Sequence, residues 1–388
     1  MNDYAADLSF NYFQPTRVVF GAGSVKDAGL ECKRLGITRA VIVTDRVLRE
    51  TSDAVQRVEA ALGARLAGVF DGALPDAPAT AIDAGADFAR ALGCDGLVSV
   101  GGGSAIDTAK GMAIVLTEGG RIRDHQGSQR LTRRQTPHLA IPTTAGTGSE
   151  VTMFAVVSDP EAREKLHFSD DHILPDAALL DPALTVKLPP RLTAATGMDA
   201  LTHAIEAFTS LARNPLTDGV ALHAIRLIAQ WLPSAVEHGD DLVARGQMML
   251  AANLAGVAFN SSGVGLAHAM AHVIGARHHV HHGTANAIVL PHAMRFNADE
   301  LEGRIAEIGR ALGVDPRTCD ADTCELAAKK VAELVARVGL PTRLRDAGVP
   351  ESDLAECAEH SVSDAAIVYN GKFAADAELL LGVYRAAY

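Results

Sequence analysis

The sequence predicts an α/β domain with a mostly parallel sheet, followed by an all-helical domain. Up to about residue 190, short apolar runs that end in turn-forming residues alternate with segments long enough for helices. After Pro189 and Pro190, apolar residues recur at helical spacing, and the strand-like runs nearly vanish. Because 388 residues are many for one hydrophobic core, we expect two domains, 1–189 and 190–388.

The predicted strands of the first domain are short apolar runs that close on glycine, proline or polar turns. In chain order they lie within RVVFGAGSV (17–25), RAVIVTD (39–45), RLAGVFDGALPDAP (65–78), DGLVSVGGGS (95–104), HLAIPTTAGTGSE (138–150) and DAALLDP (176–182). The predicted helices of the second domain include DALTHAIEAFTSLA (199–212), TDGVALHAIRLIAQWLPSAV (217–236) and CELAAKKVAELVARVG (324–339). Crossover helices between such strands predict a parallel sheet in the first domain.

Composition limits the classes of partner. With 35 basic and 47 acidic residues the net charge is -12, which argues against general nucleic-acid binding. No run approaches the roughly 18 apolar residues of a membrane span, and MNDYAADLSF lacks the pattern of a signal peptide. The five cysteines are odd in number and scattered, as is common in a reducing compartment. We therefore expect a cytoplasmic protein that binds small molecules, not nucleic acid or membranes.

Two glycine-rich loops follow predicted strands. The loop 101–104, GGGS, precedes a helix-like segment, so its amides and the helix N-terminus favour a phosphate. Ile106 stands where a dinucleotide fingerprint has glycine, so an ordinary strand-to-helix turn is an equal alternative. The loop 143–150, TTAGTGSE, offers hydroxyls for phosphate or ribose, although alone it is more typical of an N-capped turn. Together, the two loops favour a dinucleotide.

Carboxylate and imidazole side chains cluster in the predicted helical domain. Asp199 and His203 are four residues apart and therefore share one face of a helix. His268 and His272 repeat that spacing, and His282 follows. A mixed carboxylate and imidazole set suits a divalent transition metal. Spacing alone does not choose the ligands among His268, His272 and His282.

The motifs taken together resemble those of the iron-containing (group III) alcohol dehydrogenase family over nearly the whole chain. The resembling segments are FGAGS, VTD, FDGALPDAP, GGGSAIDTAK, PTTAGTGSEVT, LPDAALLDP, LTAATGMDALTHAIEAF, GLAHAMAH and HHGTANAIVLPHAMRFN. The resemblance implies a Rossmann-like NAD-binding domain at 1–189 and an all-helical metal-binding domain at 190–388. Dehydroquinate synthase shares this architecture.

The resemblance also implies a ligand set for the metal. The family's one aspartate and three histidines fall on Asp199, His203, His268 and His282. His272 matches a histidine that lies beside the metal, and we expect it to belong to the proton path. The family match favours Fe²⁺, while Zn²⁺ is chemically compatible with the same ligands.

The residues that the resemblance assigns to the cofactor are on the predicted α/β domain. Asp45 matches the residue that faces the adenosine ribose, where a carboxylate favours NAD over NADP because it repels a 2′-phosphate. The remaining positions are the pyrophosphate loop (Gly102, Gly103, Ser104) with Asp107, the second cofactor loop (Thr143, Thr144, Thr147), and Lys165, whose match is looser.

The predicted activity is hydride transfer between NAD(H) and a small alcohol, aldehyde or ketone whose oxygen the metal binds. The resemblance implies a homodimer or a higher homo-oligomer. Two alternatives are an NAD- and metal-dependent lyase of the dehydroquinate synthase type, without net redox, and a non-catalytic binding protein. A sugar-phosphate lyase would need a strongly basic pocket, and the sequence shows no matching cluster of lysine and arginine.

Two segments depart from the pattern of the alcohol-specific members of the family. Residues 276–282 read ARHHVHH where many members have aromatic residues and a proline, and residues 367–371 read IVYNG where a Thr-Asn-Pro pattern is common. Arg277 and the neighbouring histidines predict a preference for a substrate with an anionic group.

Overall fold

The computed structural model describes residues 8–159, 162 and 164–388. Packing divides them into two compact units. One comprises Phe13–Leu188, and the other comprises Pro189–Tyr388 together with residues 8–12. The assignment of NAD to a domain 1–189 and of the metal to a domain 190–388 stays a prediction.

The first unit contains a six-stranded parallel sheet and a three-stranded sheet. The strands are β1 (Arg17–Phe20), β2 (Ala40–Val43), β3 (Leu66–Phe70), β4 (Gly96–Gly101), β5 (Gly127–Ser128), β6 (His138–Pro142), β7 (Phe154–Asp159), β8 (Glu164–Ser169) and β9 (Ala177–Leu180). The large sheet has the order β1-β9-β6-β4-β2-β3, with every pair parallel. The crossover helices between these strands are what make the parallel pairing possible.

The helices of the first unit cover both faces of the large sheet. They are α1 (Ala28–Arg34), α2 (Arg46–Thr51), α3 (Ala54–Leu62), α4 (Ala79–Ala91) and α5 (Gly103–Glu118). Alternate residues of one strand enter different cores: Val41 and Val43 pack with α4 and α5, whereas Ile42 packs with α1 and α3. Burial on both faces explains why these strands read as continuous apolar runs in the sequence.

The three-stranded sheet has the order β5-β8-β7, and the sequence analysis did not predict it. In β7 and β8 buried residues alternate with more exposed ones, as in a sheet with only one packed face. Charged residues such as Glu164 and Lys165 occupy the exposed positions of β8. Such a mixed pattern lacks the continuous apolar run by which the other strands were recognised.

Among its described residues, the second unit contains helices and connecting loops but no strand. Its helices are α6 (Pro190–Thr209), α7 (Pro215–Glu237), α8 (Leu242–Ser262), α9 (Leu266–His278), α10 (His282–Asn297), α11 (Glu302–Ala311), α12 (Asp320–Arg337), α13 (Leu354–Val362) and α14 (Ala377–Ala386). By length and composition alone α8 could cross a membrane, but most of it is buried in this unit, as a core helix would be. The predicted fold class, a parallel α/β sheet followed by an all-helical region, is confirmed.

Candidate metal centre and cofactor loops

Helix α6 supplies the first two predicted metal ligands. A proline at its first position begins the helix, since its fixed φ suits the first turn and its missing N–H costs no helical hydrogen bond. Asp199 and His203 lie one turn apart and are both buried, with 4.0 Å between Asp199 Oδ2 and His203 Nδ1. A carboxylate and an imidazole therefore point from one helix face into the interior of the helical unit.

Two further helices bring histidines to this face of α6. His268 lies in the first turn of α9, and His282 is the first residue of α10. Ligand atoms of Asp199, His268 and His282 all lie within 4.8 Å of one another. The ring of His203 stacks on that of His268, with 4.6 Å between centroids. The structure thus brings together all four residues that were predicted to bind the metal.

A glycine allows α10 to approach α6. A Cβ on Gly283 would lie 2.2 Å from the carbonyl oxygen of Ala195 and 3.2 Å from Cβ of Asp199. Any side chain at this position would push the helices apart. The close approach leaves 3.4 Å between His282 Nε2 and Asp199 Oδ1.

The electrostatics of the cluster favour an ionised carboxylate and a neutral imidazole. Burial acts to raise the pKa of Asp199, but the neighbouring His203, His282 and His268 outweigh it and lower the pKa to about 2. Burial, reinforced by His203 and His282, lowers the pKa of His268 well below its usual value. These are the protonation states in which both side chains bind a metal cation.

The donor set fits a divalent transition metal. Nε2 of His268 is buried and has no hydrogen-bond partner among the described residues. An unpartnered buried nitrogen is costly unless something else uses its lone pair. A set of one carboxylate and three imidazoles suits Fe²⁺ or Zn²⁺. Mg²⁺ and Ca²⁺ prefer oxygen ligands alone.

Glu206, which was not predicted as a site residue, lies behind His268. Its Oε2 is 2.6 Å from His268 Nδ1, and the carboxylate also accepts hydrogen bonds from the backbone of Gly265 and Ala267. Burial raises the pKa of Glu206 to about 7 against the effect of these amides. A signal was present in the sequence, since Glu206 follows Asp199 by seven residues and so shares its helix face.

Asn286, also missed, supports the other side of the cluster. Its side-chain amide donates to Asp199 Oδ1 over 2.8 Å and lies 3.3 Å from His282 Nε2. Asn286 is one turn after His282 on α10, so a single helix face carries both residues. Its hydrogen bond orients the Asp199 carboxylate.

His272 lies beside the cluster, not within the group of close ligand atoms. Its ring is parallel to that of His282, with 5.4 Å between centroids, and it is partly exposed. His272 Nδ1 is 2.9 Å from Asp364 Oδ2, a partner that the sequence analysis did not identify. This pairing orients the imidazole and leaves its Nε2 for another contact.

The predicted cofactor residues follow three adjacent strands of the large sheet. Asp45 comes two residues after β2, the glycine loop comes at the end of β4, and Thr143 directly follows β6. The amide of Thr143 donates to the carbonyl of Gly101 over 3.0 Å. Because parallel strands end at one edge of the sheet, these residues meet there, where α/β proteins commonly bind nucleotides.

The two loops touch each other only because glycines occupy the contact. A Cβ on Gly103 would lie 2.9 Å from Cγ2 of Thr147, and one on Gly102 would lie 3.3 Å from Oγ1 of Thr144. No side chain caps the N-terminus of α5. The arrangement leaves a backbone cradle, in which the amides at the helix N-terminus have no side-chain cap, and such amides fit a pyrophosphate.

Asp107 and Lys110 fasten the second loop to α5. Asp107 accepts hydrogen bonds from Ser149 Oγ over 2.6 Å and from the amide of Val156 over 3.2 Å. Lys110, which the sequence analysis missed, is fully buried and donates to Ser149 Oγ and to the carbonyls of Thr152 and Phe154. Burial lowers the pKa of Lys110 to about 8. The carboxylate of Asp107 is therefore engaged in holding the loop.

The remaining charged candidates have partners on the protein. Lys165 lies on β8, with its Nζ 3.5 Å from Asp76 Oδ1. Arg277 forms an ion pair of 2.5 Å with Glu356 on α13, and His278 lies 3.9 Å from Asp353. The charge of Arg277 is thus already balanced, which weakens the prediction that it attracts an anionic substrate.

Comparison with known proteins identifies the family. The family model for iron-containing alcohol dehydrogenase matches residues 15–182, and the model for the C-terminal part of the Fe-containing alcohol dehydrogenase family matches residues 193–388. The chain belongs to the iron-containing alcohol dehydrogenase family and is an oxidoreductase of the alcohol dehydrogenase class.

Individual relatives agree with this assignment. An NAD-dependent methanol dehydrogenase of Bacillus methanolicus is 39% identical, with 94% of this chain and 96% of the relative covered. A 1,3-propanediol dehydrogenase of Citrobacter freundii is 41% identical, with coverages of 92% and 93%. A crystal structure of 1,3-propanediol oxidoreductase superposes with a TM-score of 0.95 at 38% identity, covering 98% of this chain and 100% of the other.

Proposed function

We propose that this enzyme transfers a hydride between NAD(H) and a small alcohol or the corresponding aldehyde or ketone. The metal, Fe²⁺ in the first place and Zn²⁺ as the alternative, would be held by Asp199, His203, His268 and His282. The observation that carries the proposal is the convergence of these four side chains in a member of the iron-containing family.

A metal in this position would supply Lewis-acid chemistry to the substrate oxygen, favouring loss of the hydroxyl proton during alcohol oxidation. Asp199 contributes a negative charge to the site, and the imidazoles contribute neutral nitrogen donors. We assign His272 to the proton path, because it lies beside His282 and Asp364 fixes its orientation. In this role His272 exchanges the proton that leaves the alcohol hydroxyl.

The α/β unit would bind NAD through its backbone. The amides of Gly102, Gly103 and Ser104 would receive the pyrophosphate at the N-terminus of α5, and Thr143, Thr144 and Thr147 would contact the cofactor from the facing loop. Asp45, after β2, would accept hydrogen bonds from the adenosine ribose and disfavour the 2′-phosphate of NADP. Asp107 would act indirectly, through the loop it fastens, and Lys165 would line the cofactor site.

The names of the relatives suggest short alcohols and diols as substrates. The relatives described above are a methanol dehydrogenase and two proteins that act on 1,3-propanediol. We further propose a cytoplasmic homodimer or higher homo-oligomer, in line with the composition and the family. None of these relatives is a lyase, so nothing in the comparison favours the dehydroquinate synthase-type alternative.

A substrate panel tests the proposal. Protein stripped of metal and reloaded with Fe²⁺ or Zn²⁺ would be given NAD and a series of primary alcohols, diols and hydroxyacids, while NADH absorbance is followed. We expect NADH to form with at least one short alcohol or diol, and only when metal is present. Metal-independent NADH formation, or no NADH formation with any member of the panel, would refute the proposed function.

A further inference from the structure

Glu206 makes buried contacts that have no role in the function proposed above. It is 5% exposed, and it lies on the same face of α6 as Asp199 and His203. Its carboxylate points at the N-terminus of α9, the helix that carries His268. A buried carboxylate is costly unless hydrogen-bond donors surround it, and Glu206 has four such donors.

The backbone of α9 supplies three of these donors. The amide of Gly265 donates to Oε2 over 2.8 Å, that of Ala267 to Oε1 over 2.5 Å, and that of His268 to Oε2 over 3.4 Å. Gly265 is the N-cap residue and has no side chain with which to cap the helix. Glu206 therefore caps α9 from a different helix, where the helix dipole also favours a negative charge.

The fourth donor is the imidazole of His268. Its Nδ1 lies 2.6 Å from Oε2 of Glu206. An ionised carboxylate can only accept, so with Glu206 ionised the hydrogen of this short contact belongs to the imidazole. With its hydrogen on Nδ1, the neutral ring presents a lone pair at Nε2.

That lone pair faces the candidate metal centre. Nε2 of His268 is buried without a hydrogen-bond partner among the described residues, and His268 belongs to the close group with Asp199 and His282. The same carboxylate thus fixes the position of the helix that carries His268, the rotation of its ring and the nitrogen that bears its hydrogen. Replacing a residue that hydrogen-bonds a metal-binding histidine typically weakens metal binding by about 10–100-fold.

We propose that Glu206 is a positioning residue that prepares His268 to bind the metal through Nε2. The inference rests on the proposed metal site and adds a residue that touches neither metal nor substrate. Glutamine is the informative replacement, because it keeps the size but loses the charge and replaces one acceptor oxygen with a donor. Its NH₂ group can donate to Nδ1 and so place the imidazole hydrogen on Nε2, where it would block the metal.

The main experiment measures Co²⁺ affinity of full-length, metal-stripped protein by competition with a chelating dye. We expect Glu206→Gln to weaken Co²⁺ binding by about 10–100-fold, and to change the visible absorption of the remaining complex. A Co²⁺ affinity of Glu206→Gln within about threefold of the wild type, well under that range, would overturn the inference. Wild-type protein that binds no Co²⁺ would refute the proposed metal site itself, and the inference with it.

Asp181→Asn is the matched control. Asp181 is 0% exposed and accepts hydrogen bonds from the amides of Gly23, Val25 and Ala183, but it lies in the α/β unit. We expect this substitution to lower the melting temperature and leave Co²⁺ affinity unchanged. A loss of Co²⁺ affinity equal to that of Glu206→Gln would show that general destabilisation is the cause, and would overturn the inference.

A measurement on the wild type keeps the inference testable if Glu206→Gln does not fold. Protein labelled with ¹⁵N at histidine, metal-free and at mildly alkaline pH, would be studied by long-range proton–nitrogen correlation, with His268 assigned through its alanine variant. We expect the hydrogen of His268 on Nδ1. A ring with its hydrogen on Nε2 would contradict the role of Glu206.

Discussion

The helical unit builds its candidate site from side chains, whereas the α/β unit builds its site from backbone. Around Asp199, three polar side chains are each oriented by a second one: His268 by Glu206, Asp199 by Asn286, and His272 by Asp364. Around Gly102 and Gly103, the defining feature is the lack of side chains, which lets the facing threonine loop come close. The difference follows from the ligands, because a metal needs lone pairs and a phosphate needs N–H donors.

The comparison also predicts how each site fails. The metal centre should be sensitive to the removal of side-chain atoms, since its imidazoles and carboxylates would bind the metal or orient a residue that does. The cofactor loops should be sensitive to the addition of atoms, since a single Cβ would separate them. Substitutions at the two sites test this contrast.

The substitution His203→Ala tests whether the helical unit needs its full set of four side chains. Nδ1 of His203 lies 4.0 Å from Oδ2 of Asp199, and its ring stacks on that of His268. His203 is nevertheless outside the close group of ligand atoms formed by Asp199, His268 and His282. We expect metal affinity to fall by more than about 100-fold, beyond the range typical of outer contacts, and activity to fall to background. Metal content and turnover would be measured beside His223→Ala, an exposed histidine on α7. Stoichiometric metal in His203→Ala would remove it from the ligand set.

The substitution His272→Ala separates proton transfer from metal binding. We expect turnover to fall by about 100-fold, a typical contribution of general acid–base catalysis, while metal content stays near that of the wild type. Asp364→Asn should cause a smaller loss in the same direction, because it only loosens the orientation of His272. Loss of bound metal from His272→Ala would make it a ligand and contradict the assignment.

The substitution Gly103→Ala adds one Cβ to the cofactor loops. That atom would meet Cγ2 of Thr147 at 2.9 Å, so the loops must separate. Overpacking of this kind costs about 1–3 kcal/mol, and we expect NAD affinity to fall by roughly 10–100-fold. NADH fluorescence titration would compare it with Gly303→Ala on α11, where a Cβ meets nothing within 4 Å. Equal NADH affinity in both variants would argue against the backbone cradle.

The substitution Asp45→Ser tests cofactor choice. Asp45 caps α2 by accepting from the amide of Leu48 over 2.8 Å, and serine can keep that hydrogen bond while removing the charge. We expect the preference for NAD over NADP to relax by about 10-fold, or ~1.4 kcal/mol, with little change in stability. Asp45→Gly should relax it equally and lose the cap as well. Equal catalytic efficiencies of wild-type protein with NAD and NADP would refute the role of Asp45.

The buried Lys110 gives the smallest effect, a dependence of stability on pH. Burial lowers the pKa of Lys110 in the folded protein from 10.5 to about 8. Between these two values the unfolded chain binds the proton and the folded chain does not, so folding stability should rise with pH. Urea unfolding across this range would show a steeper rise for wild type than for Lys110→Met. Parallel slopes would mean that Lys110 keeps its proton in the folded state.

Local patterns in the sequence predicted the large sheet and the pairing of Asp199 with His203 on one helix face. The strands of the large sheet were recognisable because burial on both faces gives continuous apolar runs, as in β4 and β6. Asp199 and His203 were recognisable because one helical turn separates them. The assignment of His268 and His282, as distinct from His272, came from resemblance to the family, since spacing left all three possible.

Contacts between distant parts of the chain were not predictable in the same way. Glu206 and His268 are 62 residues apart, and His272 and Asp364 are 92 residues apart. No local spacing in the sequence therefore predicts either pair. The role of Lys110 was not predicted for another reason. A lysine is expected at the surface, whereas Lys110 is fully buried. The hairpin of β7 and β8 was missed because its mixed polarity lacks an apolar run.

Anomalous X-ray scattering at the iron edge, on crystals of protein prepared with Fe²⁺, tests the central claim most directly. We predict one anomalous peak in the helical unit, within bonding distance of Asp199, His203, His268 and His282, with His268 bound through Nε2. A peak elsewhere, or one bound by His272 in place of any of the four, would contradict the proposed metal site.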